Sequence, residues 1–124
     1  MKNFKLISFS AILFFVLMVP NVHATTVDEC QGLIDIVGVT LDGAEIGGRN
    51  PGRTLAGLES KLDGASMKVS QAKFADAIGK MTDFSYKVQD MAVPNRKGET
   101  KIDAESADDL VDGANDAIGC IDSL

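Results

Sequence analysis

The feature that most constrains the fold is a regular heptad pattern between Lys73 and Val93. Three consecutive heptads each begin with a lysine and place an aspartate three residues later. Within them, apolar side chains recur at alternating steps of three and four: Phe74, Ala77, Met81, Phe84, Val88 and Met91. This spacing places the apolar side chains on one face of an α-helix. The pattern predicts an amphipathic helix that Ser70 caps, that ends at Pro94 and that fills a core with its apolar face. An intermolecular coiled coil is the alternative for such a face.

A second periodic segment follows Thr25 and Thr26, with Asp28 or a threonine as its N-cap. Its apolar residues recur at steps of three and four: Cys30, Leu33, Val37, Leu41 and Ala44. Ile34 and Ile36 are expected to widen this apolar face. β-Branched residues around Val39 make a β-strand the alternative for this segment. The spacing favours a helix that ends at the glycines of positions 47 and 48.

Two more helices are indicated by their start signals. Asn50 is a favourable N-cap and Pro51 suits the first helical position, so a helix is predicted from there to about residues 67–69. Asp103 is the predicted N-cap of the last helix, where Ile102 and Ala107 form a hydrophobic staple. Its apolar residues also step by three and four: Ala107, Leu110, Ala114, Ala117 and Ile121.

Four amphipathic helices with short connections predict an all-α fold, a four-helix bundle in up-down-up-down order. In that order the start of the first helix lies beside the end of the fourth. Cys30 and Cys120 occupy those two places. They are therefore expected to form a disulfide that closes the bundle, as paired cysteines do in exported proteins.

The first 24 residues have the features of a cleaved signal peptide. Lys2 and Lys5 precede an apolar stretch from Leu6 to Val19, and the segment that ends at Ala24 fits the small-residue cleavage pattern. The apolar run is too short to span a bilayer, which argues against a retained membrane anchor. The sequence thus predicts an exported, periplasmic or extracellular protein whose mature chain, residues 25–124, is a single helical domain.

The composition of the mature chain excludes several function classes. It has ten basic and 18 acidic residues, a formal net charge of −8, which disfavours nucleic acids and anionic membranes as partners. The chain's only histidine, His23, belongs to the signal peptide, and there is no tryptophan. Catalytic triads, Cys–His pairs and His-ligated zinc are therefore excluded from the mature chain. No cofactor is expected, and an enzyme that uses carboxylates alone is the disfavoured alternative.

The candidate partner-binding surface is an acidic stripe on the last helix, with one tyrosine on the heptad helix. Like charges four residues apart destabilise a helix, which suggests a function for them. The candidate residues are Glu105, Asp108, Asp109, Asp112, Asp116 and Tyr86. The alternatives are loose Ca²⁺ binding and a solvated outer face, with Tyr86 as an isolated surface residue. Met67, Met81 and Met91 are interpreted as core residues rather than as a copper site.

From about residue 54 to residue 121 the chain resembles the FIMAH domain. The resemblance rests on the segments RTLAGLESKLDGA, KFADAIGKMTDFSYKVQDM and KIDAESADDLVDGANDAI. In the family, the last segment begins with an isoleucine, a cap and an A-x-x-L pattern, which match Ile102, Asp103, Ala107 and Leu110. The family consists of small helical modules in secreted bacterial proteins, often attached to hydrolases and lyases. The resemblance implies an accessory module and carries no catalytic residue over to this chain.

These features together predict a small, monomeric, non-enzymatic binding module. Its expected partner is another envelope or secreted protein, or a cell-surface polymer. A secreted effector, toxin or inhibitor that acts on a foreign target is the alternative.

Overall fold

The computed structural model describes residues 25–124 and contains four α-helices. The signal peptide, its cleavage pattern and His23 lie outside the described residues. The helices are α1 (Val27–Asp42), α2 (Pro51–Ser70), α3 (Phe74–Met91) and α4 (Ala104–Asp122). The described chain has no strand, so the predicted all-α class is confirmed and the first segment is a helix. No helix among residues 25–124 is long and apolar enough to cross a membrane.

The core lies between the four helices, because each helix packs against its neighbour in the chain and α1 also packs against α4. Phe84, Leu41, Leu58 and Leu110 are among its largest fully buried side chains. The heptad face of α3 is buried as predicted, except that Phe74 is half-buried. Two of the three methionines, Met81 and Met91, fill the core as predicted; the third, Met67, is exposed.

Side-chain and loop contacts tie the helix ends together in two groups. At one end the Gln31 amide donates to the Ser66 carbonyl at 3.2 Å. At the other end the Gly47 N–H donates to the Lys101 carbonyl at 2.8 Å, and the Lys101 N–H donates to the Met91 carbonyl at 2.9 Å. These contacts are those that alternating helix directions would produce; the up-down-up-down order stays a prediction.

The predicted disulfide between Cys30 and Cys120 is present. It joins the first turns of α1 to the last turn of α4, with the two Cα atoms 5.5 Å apart. Cys30 is fully buried and Cys120 is half-buried. The bridge therefore fastens α1 to α4 at the edge of the core.

The caps of α1 and α4 follow the sequence signals. Thr26 and Glu29 form a capping box at the start of α1, each side chain accepting the backbone N–H of the other at 3.1 Å. Asp103 accepts the Ser106 N–H at 3.0 Å, and Ile102 and Ala107 are both buried as the staple predicts. A hydrogen bond from Ser106 lowers the pKa of the Asp103 carboxyl, because the bond stabilises the charged form.

The start of α3 and the end of α1 differ from the prediction. Ser70 does not cap α3; it is the last residue of α2, and its hydroxyl donates to the Met67 carbonyl at 2.6 Å. The chain turns through Ala72, which has a φ of +61°, and α3 starts after Lys73 without a side-chain cap. Helix α2 therefore continues to Ser70, just beyond its predicted end at residues 67–69, and the left-handed residue follows it.

Helix α1 ends at Asp42, with Gly43 as its C-cap, rather than at the glycines of positions 47 and 48. The Gly43 N–H already bonds back to the Val39 carbonyl, and Gly48 takes a φ of +94° inside the loop. Asn50 and Pro51 begin α2 as predicted, although the Asn50 side chain makes no capping bond.

Candidate partner-binding surface

The five acidic residues predicted as a binding surface lie on α4 and are all exposed: Glu105, Asp108, Asp109, Asp112 and Asp116. They form an outer stripe because the residues between them supply the buried face. Among residues 25–124, no group of three or more His, Cys, Asp or Glu side chains is arranged to hold a metal ion. The stripe is thus a continuous acidic surface on one helix.

Tyr86 lies on α3, not on α4, and 65% of its surface is exposed. No hydrogen bond within the described chain joins it to the acidic stripe. Its exposure fits both a role in partner binding and an isolated surface residue, so the binding role stays a prediction.

An exposed apolar ridge on α1, formed by Ile36 and Val39, was not predicted from the sequence. These two side chains are 59% and 72% exposed. Ile36 does not widen the core face as predicted. Ile34 is buried, whereas Ile36, two residues further along the helix, points away from the core.

One groove borders the ridge on the α4 side and has a volume of about 610 Å³. Leu33, Ile36 and Cys120 contribute apolar walls, and glycines at positions 32 and 119 keep it open. Glu29 and Asp116 lie at its polar edge. Asp116 therefore belongs both to this α1–α4 groove and to the predicted acidic stripe.

A second groove borders the ridge on the α2 side, with a volume of about 440 Å³. Ile34 and Leu62 form its floor, and Val39 forms part of its rim. Four carboxylates line this α1–α2 groove: Asp35, Asp42, Glu59 and Asp63. The aliphatic floor of this groove is thus flanked by carboxylates of α1 on one side and carboxylates of α2 on the other.

The carboxylates of the α1–α2 groove are close enough to raise the pKa of one of them, Glu59. A hydrogen bond with the Asp42 carboxyl raises the pKa of Glu59 above its ordinary value of 4.5. Desolvation and the negative charges of Asp42 and Asp63 act in the same direction. The carboxylates of Asp42 and Asp63 thus repel that of Glu59 in the α1–α2 groove.

The positive charges of the described chain lie elsewhere. Helices α1 and α4 contain no lysine or arginine, and no basic residue lines either groove. On α2, Lys68 turns towards α3, where its ammonium lies 3.9 Å from the Asp76 carboxylate. From α3, the Lys80 side chain lies against Gly64. Lys68 and Lys80 therefore lie between α2 and α3, away from both grooves.

Two patterns in the sequence indicate the α1 surface in hindsight. Small and apolar residues recur at steps of four, three and four on the helix face opposite to the buried one: Gly32, Ile36, Val39 and Gly43. Asp28, Asp35 and Asp42 recur every seven residues beside it. Choosing between this face and the core face required the positions of α2 and α4.

The comparisons with known proteins give no assignment. No protein-family model matches the sequence, and no curated protein or solved structure matches it significantly.

Proposed function

We propose that this protein is a small exported module, without catalytic activity of its own, that binds another envelope or secreted protein or a cell-surface polymer. The observation that carries the proposal is the exposed aliphatic ridge of α1, with a groove on each side and carboxylates along both grooves. Exposed aliphatic side chains grouped on one helix and rimmed by polar residues are typical of interaction sites.

Export is supported by two independent features. The first 24 residues read as a signal peptide, and the Cys30–Cys120 disulfide is of the kind that persists in oxidising compartments. We expect the exported protein to begin at Thr25, which N-terminal sequencing or intact mass of the secreted or periplasmic protein checks. Recovery of the full-length chain in the cytoplasm alone would contradict export.

The absence of an enzymatic function is part of the proposal. Residues 25–124 contain no histidine, and the carboxylates gathered on α1 and α2 are exposed to solvent. General acid–base chemistry by carboxylates ordinarily relies on a partly buried acid in a closed site. The resemblance to the FIMAH domain fits an accessory role and is proposed on the same footing.

The direct test uses residues 25–124, with the disulfide intact, as bait against envelope extracts, secreted proteins and insoluble cell-wall polymer. A saturable partner is expected, and its retention should fall when the cysteines are reduced. Retention of nothing at micromolar bait would contradict the proposal and favour an effector that acts on a foreign target.

A further inference from the structure

The outward face of α1 exposes aliphatic side chains that no other helix of the described chain covers. Helix α1 buries Cys30, Ile34, Val37 and Leu41 in the core, and on its opposite side it exposes the ridge of Ile36 and Val39. A helix that is apolar on both faces is normally covered on both. Nothing in the described chain covers the second face of α1.

The ridge and its two grooves form one surface, called here the α1 face. On the α4 side the apolar wall continues through Leu33 and Cys120 to Glu29. On the α2 side Val39 leads into the carboxylate-lined groove. A rod-shaped partner that lies along α1 would contact aliphatic side chains at its centre and negative charges along both flanks.

Charge decides which partners fit this face. Both helices that build the α1–α4 groove lack basic residues. Four carboxylates line the α1–α2 groove, where the negative charges of Asp42 and Asp63 repel that of Glu59. Positive charge brought by a partner would relieve that repulsion. Complementary charge also speeds association and sets the register of two surfaces.

We propose that the α1 face binds a basic amphipathic helix of a partner protein. The partner's apolar residues, spaced by three and four, would pack on Ile36 and Val39, while its flanking Lys or Arg side chains would meet Glu29 and Asp116 on one side and Asp35 and Asp42 on the other. This is the helix-in-groove mode of recognition. The proposal rests on the proposed function and adds the surface and the chemistry of its partner.

A second copy of the chain fits this face poorly. A two-fold dimer would set the α1 face against itself, so that the carboxylates of one copy would oppose those of the other. Like charges brought together across an interface oppose association. Anionic polymers and lipid headgroups are disfavoured by the same repulsion.

The test measures the affinity of the disulfide-intact chain for a synthetic helix of leucine and lysine, about 18 residues long, by fluorescence anisotropy. A peptide with glutamate in place of lysine is the charge control. We expect saturable binding of the lysine peptide that weakens as ionic strength rises, and no binding of the glutamate peptide.

Paired variants locate the site. Ile36→Ser with Val39→Ser removes the ridge, and its matched control removes two exposed apolar side chains elsewhere, Met67→Ser with Val93→Ser. The ridge variant is expected to bind at least about tenfold more weakly, and the control to bind within about twofold of the parent.

A second pair separates local charge from net charge. Asp35→Asn with Asp42→Asn changes the net charge as much as Asp83→Asn with Asp90→Asn, and all four residues are exposed. The first pair should weaken binding by at least about threefold more than the second. Equal losses in the two pairs, or equal binding of ridge and control variants, would overturn the proposal by showing non-specific attraction.

Two other outcomes would also overturn it. A dimer that the ridge variant abolishes would assign the α1 face to a second copy of the chain. An envelope partner that the ridge and control variants retain equally would place the binding site elsewhere, while leaving the proposed binding function intact.

Discussion

Helices α1 and α3 occupy equivalent places in the bundle but expose different kinds of side chain to solvent. Each packs between two neighbours and contributes a buried apolar face. The outer face of α3 carries alternating lysines and aspartates, with Tyr86 as its exposed aromatic residue. The outer face of α1 carries Ile36 and Val39, and its charged residues are all acidic.

The comparison distinguishes surface residues that folding explains, on α3, from surface residues that it leaves unexplained, on α1. Core packing and solvation account for the apolar and charged residues of α3. The same two terms leave Ile36 and Val39 unexplained, because largely exposed aliphatic side chains add little to the stability of the isolated chain. The α1 face is therefore where a partner is proposed, and the following experiments test the contrast between the two helices.

The largest expected effect is that of removing the bridge between α1 and α4. Cys30 and Cys120 are 90 positions apart, and a loop of that length corresponds to about 4–5 kcal/mol in the chain-entropy treatment. We expect Cys30→Ser with Cys120→Ser to lower the free energy of unfolding by up to that amount, measured by urea denaturation.

Hydrogen exchange of the same variant sharpens the contrast, because only α1 and α4 are tied by the bridge. The amides of α1 should lose more protection than those of α3. Loss of protection confined to α3, or a change in unfolding free energy below about 1 kcal/mol, would contradict this assignment.

A pair of alanine substitutions compares the core with the ridge. Phe84 of α3 is fully buried, so Phe84→Ala should cost about 3–5 kcal/mol of stability. Ile36→Ala removes an exposed side chain and should change stability by less than about 0.5 kcal/mol. Urea midpoints of the two variants check this. A cost above about 2 kcal/mol for Ile36→Ala would show that this residue packs within the isolated chain.

Helix glycines offer a smaller test of how closely α1 and α4 approach. A Cβ built at Gly79 of α3 meets no atom within 4 Å, whereas one at Gly113 of α4 lies 3.0 Å from a Val37 methyl. Gly79→Ala should raise the free energy of unfolding by about 0.5–1 kcal/mol through helix propensity.

Gly113→Ala should gain less than Gly79→Ala, because Val37 must move to admit the new methyl group. Thermal unfolding of both variants measures the difference. An equal gain at the two sites would show that α1 and α4 are packed no more tightly than the outer side of α3.

The smallest expected effect is a pH dependence from the α1–α2 groove. The pKa of Glu59 is raised, so the folded chain holds that proton more tightly than the unfolded chain does. The contribution of Glu59 to stability is therefore greatest below its ordinary value of 4.5 and is lost as the pH rises through the raised pKa.

Glu59→Gln should accordingly gain stability relative to the parent as the pH rises from about 4 to 7. Asp83→Asn is the control, because Asp83 has a lysine, Lys87, on the next turn of α3. Thermal melts across this range measure the effect. A difference between Glu59→Gln and parent that does not grow with pH would argue against carboxylate repulsion in the groove.

The sequence predicts α3 better than it predicts α1, for a physical reason. In α3 the apolar and charged residues separate cleanly, so the period alone selects the buried face. In α1 both faces are apolar, and Ile36 was assigned to the core because local spacing does not tell which face meets α2 and α4. The disulfide followed from the bundle order and the two cysteine positions.

The candidate site shows the same limit. The acidic residues of α4 lie on an exposed stripe as expected, because charges spaced by three and four can be placed on a helix from sequence alone. The α1–α2 groove brings Asp42 and Glu59 together from two helices, and no local pattern connects them. The turn at Ala72 was missed for a similar reason, since alanine is not a signal for a left-handed residue.

The most direct test of the α1 face is an amide chemical-shift map of residues 25–124, titrated with the leucine–lysine helix under oxidising conditions. The account predicts saturable shifts that concentrate on α1 around Ile36 and Val39 and extend to the neighbouring turns of α2 and α4, while the outer face of α3 stays unchanged. Shifts spread evenly over the acidic stripe of α4 and the aspartates of α3, with none centred on the ridge, would contradict it.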